Sequence, residues 1–461
     1  MQAPASFTPI SLKALLTLAW PVVISRLSQT VITLSDAVMV APLGEDAIAA
    51  TTTGGLNAFL VMILPMGMVF LVGSFAAQLF GKGDFTGARR FGWYGLILAA
   101  LTELAALATL PFIDFVVGLL GFSLGVQEAM TQYLLLRLLC AGPAIGIEAL
   151  GSYFGGLGRT RIQMRTNLLA MGLNVALNWL LIYGNLGCPR LGVAGAALAS
   201  TLATTIAFAC IFALFLREAR QAGSAGRSLS RTEFARLLRF GLPNGINWSF
   251  EFLAFLLFQN LVVGYLGTTA LAAFGVVIAL NSASFMPAFG ISSAGAILVG
   301  QVIGAGRKDD VPRAFKITLA TVMSWQGAVG LGYLLLPELL LRLMLESSGE
   351  SADPELLTLG VRMLQLSCAW QLFDAAAMSL SEALRATGDT QFPMWARLAI
   401  AWGIFFPGSY LCVRFLGFGE VGTLLWLALY LALLSIALGW RFASGAWRKI
   451  ELTETSMPLA H

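Results

Sequence analysis

The chain has 461 residues, 58% of them hydrophobic and 11% charged, whereas a soluble domain carries about 25% charged residues. With a mean hydropathy of +0.81, that excludes a soluble enzyme, with or without a single anchor, and at about 20 apolar residues per crossing there is room for a dozen spans. The net charge of +4 does not point to nucleic acid, because the basic residues gather in loops on one side of the predicted spans and so orient the chain.

Apolar runs divided by Gly, Pro and charged clusters predict twelve helices, over 12–42, 47–80, 91–113, 130–154, 163–184, 193–216, 237–264, 270–303, 315–338, 357–384, 392–414 and 420–443. The first, second, seventh and eighth are longer than about 30 Å of hydrocarbon requires, so they should tilt or bend. Pro21, Pro65, Pro243 and Pro287 mark the expected bends. Lys82, Arg89, Arg90, Arg159, Arg161, Arg165, Arg385, Arg397 and most other basic residues sort to one side, and only Arg190, Arg342 and Arg414 to the other. The positive-inside rule then puts both termini in the cytoplasm. Met1 to Ser11 lack the charged start and short apolar run of a signal peptide.

The chain repeats itself. Leu15 to Pro21 recurs as Leu237 to Pro243, Leu43-Gly44 as Leu266-Gly267, and Gln78, Gly81 and Gly83 as Gln301, Gly304 and Gly306. Gly158-x-Thr160 returns as Gly388-x-Thr390. The expected fold is an all-α integral membrane protein with an N-terminal lobe over 1–220 and a C-terminal lobe over 221–461. Each lobe is a six-helix bundle, and a pseudo-two-fold axis along the membrane normal relates the two. The polar stretch from Arg217 to Arg231 joins the lobes. A central cleft and alternating access by rocking of the halves follow from that layout. Met62, Met66, Met68, Phe70, Phe285, Met286 and Phe289 fall where a soft cleft lining would suit apolar cations.

Enzymatic chemistry has little to stand on. His461 is the single histidine, and Cys140, Cys188, Cys210, Cys368 and Cys412 show no paired spacing. Lys82 is followed by Gly83 rather than Ser or Thr, so no phosphate-cradling loop exists and no ATP is hydrolysed. Neither a cofactor nor a nucleic-acid partner is expected. Uphill transport would draw on an ion gradient.

Charge inside a bilayer costs at least ~2.5 kcal/mol, which makes an intramembrane carboxylate a site until shown otherwise. Asp36 lies late in the first span, roughly 10 Å below the outer surface. Asn174 and Asn178 share one face of the fifth span and reach similar depth. A shared cation or proton site is permitted, and so is an interfacial Asp beside two amides that glue helices together. Glu251 and Asp374, in the seventh and tenth spans, could meet near mid-membrane. Two close carboxylates cannot easily both ionise there, so the pair would hold a proton or a small cation. Separate pairing with an arginine such as Arg362 is the alternative. Glu382 reads as an i,i+3 ion pair with Arg385. Glu103 and Glu148 read as structural, and Arg26 and Arg137 need partners the sequence does not name.

Together, Leu18 to Pro21, Asp36 with Leu43-Gly44, Gln78 to Asp84, Asn174-x-x-x-Asn178-Trp179, Gln301 to Gly306, Glu251, and Asp374 followed by Arg385 to Asp389 resemble the multidrug and toxic compound extrusion family, in its NorM-type branch. The likeness runs from about Leu12 to Trp440. It implies a monomeric multi-pass exporter in the bacterial inner membrane, surrounded by lipid, moving cationic amphipathic drugs and dyes out as H⁺ or Na⁺ enters. It implies that Asp36 couples ion to drug beside Asn174 and Asn178, and that Glu251 and Asp374 form the second ion site and would hold Na⁺ in a sodium-coupled carrier. The family pattern has a Tyr one turn before the tenth-span Asp, where this chain has Trp370, which weakens the case for Na⁺ there. A lipid or oligosaccharide flippase of the wider superfamily is the rival reading, and it would call for a basic cavity.

Overall fold

The computed structural model describes residues 10–119, 121–222, 229–347 and 353–453. Residues 1–9, residues 223–228 of the joining stretch and His461 lie outside them. Among the described residues every regular element is helical, as lipid demands of a backbone that must satisfy its own hydrogen bonds.

In chain order the helices are α1 (Leu12–Val40), α2 (Glu45–Gly81), α3 (Phe85–Thr109), α4 (Ile113–Gly118), α5 (Leu124–Arg137), α6 (Ala141–Gly156), α7 (Thr160–Leu181) and α8 (Gly192–Gln221). They continue with α9 (Arg231–Leu257), α10 (Thr268–Gly304), α11 (Val311–Leu335), α12 (Pro337–Ser347), α13 (Pro354–Thr387), α14 (Gln391–Ile400), α15 (Phe406–Leu416) and α16 (Glu420–Ala443). Short 3₁₀ or π turns join α3 to α4, α5 to α6 and α14 to α15, so each of these pairs makes one span. The result is a twelve-span helical membrane protein. Pro21, Pro65, Pro243 and Pro287 all lie inside helices.

Two spans differ from the simple apolar-run picture. The ninth does not run straight to residue 338: α11 ends at Leu335, and α12 leaves it at 86°. Leu336 stands before Pro337 with φ −130° and ψ 39°, outside the helical region that a following proline disfavours. The fifth span, α7, is not among the ten helices apolar enough to pass as spans on composition. Its polar residues Gln163, Thr166, Asn167, Asn174 and Asn178 are nevertheless all buried. They face inward, the reverse of a surface helix in water.

Packing separates two compact units. Among the described residues, unit 1 takes in those of 24–245 and Gly304–Gly306, and unit 2 takes in those of 10–23, Ile246–Ile303 and 307–453. Neither is one stretch of sequence. Helix α1 passes from unit 2 to unit 1 after Val23, two residues beyond Pro21, and α9 passes from unit 1 to unit 2 after Gly245, two residues beyond Pro243. Within unit 2, Leu15, Leu18 and Ala19 at the start of α1 are buried with Ala288, Ile291 and Leu298 of α10.

The repeat is legible in the backbone. Gly44 and Gly267, each ending the loop ahead of a long helix, adopt φ 109° with ψ 173° and 168°, a region open essentially to glycine alone. Ion pairs recur too, with their signs exchanged. Arg159 pairs with Glu218 at 2.8 Å in unit 1, and Asp389 pairs with Arg441 at 2.7 Å in unit 2.

Candidate functional site

In unit 1, three helices bring their polar side chains to one point. Asp36 comes from the last turns of α1, Asn174 and Asn178 from one face of α7, and Ser200 from the first half of α8. Asn178 Nδ2 donates to Asp36 Oδ1 at 2.5 Å, and Ser200 Oγ donates to Asp36 Oδ2 at 3.1 Å. Asn178 Nδ2 also reaches Asn174 Oδ1 at 3.3 Å, while Asn174 Nδ2 donates to Ser200 Oγ at 2.9 Å. Each carboxylate oxygen is thus met by one neutral donor, which leaves further lone pairs for a ligand.

The amides and Ser200 are buried, and Asp36 is half-buried. Asn178 Oδ1 is buried without a hydrogen-bond partner. That is unusual, because a buried acceptor left unmade costs about 1–3 kcal/mol. A fixed cation stands near: the Arg137 guanidinium, at the end of α5, is an electrostatic neighbour of Asp36. Arg137 also donates to Cys140 Sγ at 2.6 Å, across the 3₁₀ turn that breaks the fourth span. The sequence points to Asp36, Asn174 and Asn178, and marks Arg137 as an intramembrane cation without naming its neighbour; it gives no sign of Ser200.

In unit 2, Glu251 lies on α9 and Asp374 on α13. Glu251 is ion-paired with Arg397 on α14, a guanidinium partner that the sequence does not name. Arg362 instead pairs with Glu420 at 3.8 Å. Arg397, whose charge the sequence places with the loops, has a side chain only 7% exposed, within the span Gln391–Leu416. Burial is possible there because Glu251 supplies the opposite charge. Tyr430 of α16 lies within hydrogen-bonding reach of Arg397 and is an electrostatic neighbour of Asp374. A phenol absent from position 370 is therefore present from another helix. Asp374 is half-buried. Among the described residues no three Asp, Glu, Cys or His side chains gather as a metal cluster.

The remaining intramembrane charges are accounted for locally. Arg26 grips Glu148 through both guanidinium nitrogens at 3.1 Å, Gln29 Nε2 adds a third bond at 3.1 Å, and Arg26 lies over the Phe70 ring. Glu103 accepts the Gly142 N–H at 2.6 Å, and Glu382 pairs with Arg385 on its own helix. The Arg26–Glu148 and Glu103–Gly142 contacts tie different helices together, and Glu382–Arg385 stays within α13.

A family model, MatE, matches residues 21–180 and again residues 248–411, once in each half. The chain belongs to the MatE family. The matched segments carry Asp36, Asn174, Asn178, Glu251, Asp374 and Arg397, whereas Ser200 and Tyr430 fall outside them. This MatE chain is 30% identical to a probable multidrug resistance protein NorM of Pseudomonas putida over 96% of its length and 95% of the relative's. It is 29% identical to the multidrug resistance protein NorM of Burkholderia vietnamiensis, over 92% of each. Among solved structures it is similar to an outward-facing multidrug resistance MATE family transporter of the MOP superfamily, with a TM-score of 0.86 at 21% identity, covering 98% of this chain and 99% of that one. The TM-score is also 0.86, at 20% identity over 98% and 99%, for a MOP superfamily transporter from Pyrococcus furiosus whose reversed pocket polarity is described as suggesting a different function. At those identities the likeness establishes the fold. Function has to be argued from the site.

Proposed function

We propose that this MatE chain is a multidrug exporter of the bacterial inner membrane, a secondary transporter rather than an enzyme. It carries cationic amphipathic drugs and dyes outward by alternating access as H⁺ or Na⁺ enters, working as a lipid-embedded monomer with no cofactor. Full-length similarity to the NorM proteins supports the substrate class. The observation that carries the mechanism is the Asp36 carboxylate held by Asn178 and Ser200 on three different helices.

Ionised, Asp36 offers free lone pairs to a cationic drug. Protonated, it becomes a donor, and Asn178 Oδ1 is the idle acceptor a half-turn of the amide away. The same three helices thus have one bonding pattern for the charged carboxylate and another for the neutral one. A ligand shifts an equilibrium only through unequal affinity for two states, and neutralising Asp36 removes the drug's counter-charge in one of them. Glu251, already paired with Arg397, has little net charge to offer, so in unit 2 Asp374 is the carboxylate free to take part.

The test is ethidium efflux from proteoliposomes holding the wild-type chain, under a pH gradient or a Na⁺ gradient imposed separately. Efflux that follows one gradient supports the proposal and names the ion. No efflux under either, together with movement of a labelled lipid, would overturn it in favour of a flippase.

A further inference from the structure

The Glu251–Arg397 pair has the surroundings of a cation site. Asn247, one helical turn before Glu251 and on the same face, has a buried Oδ1 with no hydrogen-bond partner. Tyr430, of α16, is a neighbour of Arg397. With the Glu251 carboxylate these are three oxygen donors from two helices, the type that hard cations prefer. The only positive group among them is the guanidinium.

Both helices that carry the pair change register close by. Helix α9 passes into a π turn over Phe258–Val263, and α14 into another over Ala401–Phe405. Such turns are rare and concentrate at functional sites. Phe258 and Phe405, one from each, meet at 4.8 Å, and Phe405 stacks on Tyr430 at 4.8 Å. The two irregular turns thus bring Phe258 and Phe405 together against Tyr430, the neighbour of Arg397.

We propose that Arg397 is a tethered counter-cation filling a monovalent-cation site made by Glu251, Asn247 and Tyr430, and that it keeps free Na⁺ out of that site. The inference deepens the exporter reading above by removing one of its two coupling ions from this site, and it rests on that reading only in treating the site as part of the transport machinery. A guanidinium never deprotonates in a protein, so pH does not vacate the site. It is also held at an effective concentration that a dissolved ion must outcompete. Removing it leaves the Glu251 carboxylate and two oxygen donors with no cation.

The experiment is equilibrium binding of ²²Na⁺ to the purified full-length protein at fixed pH. Wild type is expected to show no Glu251-dependent Na⁺ binding. Arg397→Ala should gain a Na⁺ site, with affinity raised at least about tenfold over any wild-type background. The gain should vanish in Arg397→Ala/Glu251→Gln and be absent in Arg397→Lys, which keeps a tethered charge. Arg397→Gln replaces the alanine variant if the latter does not fold. Wild-type Na⁺ binding abolished by Glu251→Gln would overturn the proposal, and so would a folded neutral variant that binds no Na⁺. Binding requires no drug, so its outcome is separate from whether the chain exports ethidium.

Discussion

The Ser200 hydroxyl donates to Asp36 and accepts from Asn174, which makes it the hinge of the unit 1 cluster although it carries no charge. Ser200→Ala leaves the buried Asn174 amide without this acceptor, and an unsatisfied buried group costs about 1–3 kcal/mol. We expect the purified variant to unfold at lower temperature and to export ethidium about threefold to tenfold more slowly. Equal stability and equal rate would mean that Ser200 only fills space. The residues that were legible in the sequence are those that lipid penalises, namely Asp36 and two asparagines a turn apart. Ser200 was not, because it sits in Ala199-Ser200-Thr201, and a helical serine can satisfy itself on a backbone carbonyl. Arg397 was misread for a related reason. An arginine six residues into a span looks like a flanking charge until its partner is known, and Glu251 is 146 positions away in the chain.

At the scale of helices, periodicity located the spans, since long apolar runs leave few alternatives in lipid. It did not foresee the 86° turn at Pro337, because an apolar run continues across the proline. Nor does it foresee which helix ends are tied together. Arg159–Glu218 and Asp389–Arg441 join equivalent helices with opposite polarity. The pair is thus kept in each half while the sign is free to change. Asp389 is 2% exposed, so Arg441→Met leaves its charge buried and unpaired, at a cost of about 3–5 kcal/mol. The double variant Asp389→Asn/Arg441→Met should regain part of that stability in a thermal unfolding cycle. Strict additivity of the two substitutions would show that the pair is not coupled.

Across the whole molecule, the two halves repeat a scaffold but not its chemistry. The matching glycines preserve a backbone conformation, whereas the residue at the same offset from Asp36 is Gln259. Each unit pairs its acidic group differently: Asp36 has neutral donors with Arg137 nearby, and Glu251 has Arg397 directly. Duplicated packing thus carries a different charge arrangement around the acidic group in each half. The central claim is that the Asp36 carboxylate is the group that drug and ion share. The most direct test is the initial rate of ethidium efflux from energised cells lacking their own major pumps, comparing wild type with Asp36→Asn at equal membrane abundance. An amide keeps the size and the hydrogen bonds but cannot hold the counter-charge, so the rate should fall at least about tenfold, the equivalent of about 1.4 kcal/mol or more. Efflux at the wild-type rate from the Asp36→Asn chain would contradict the account.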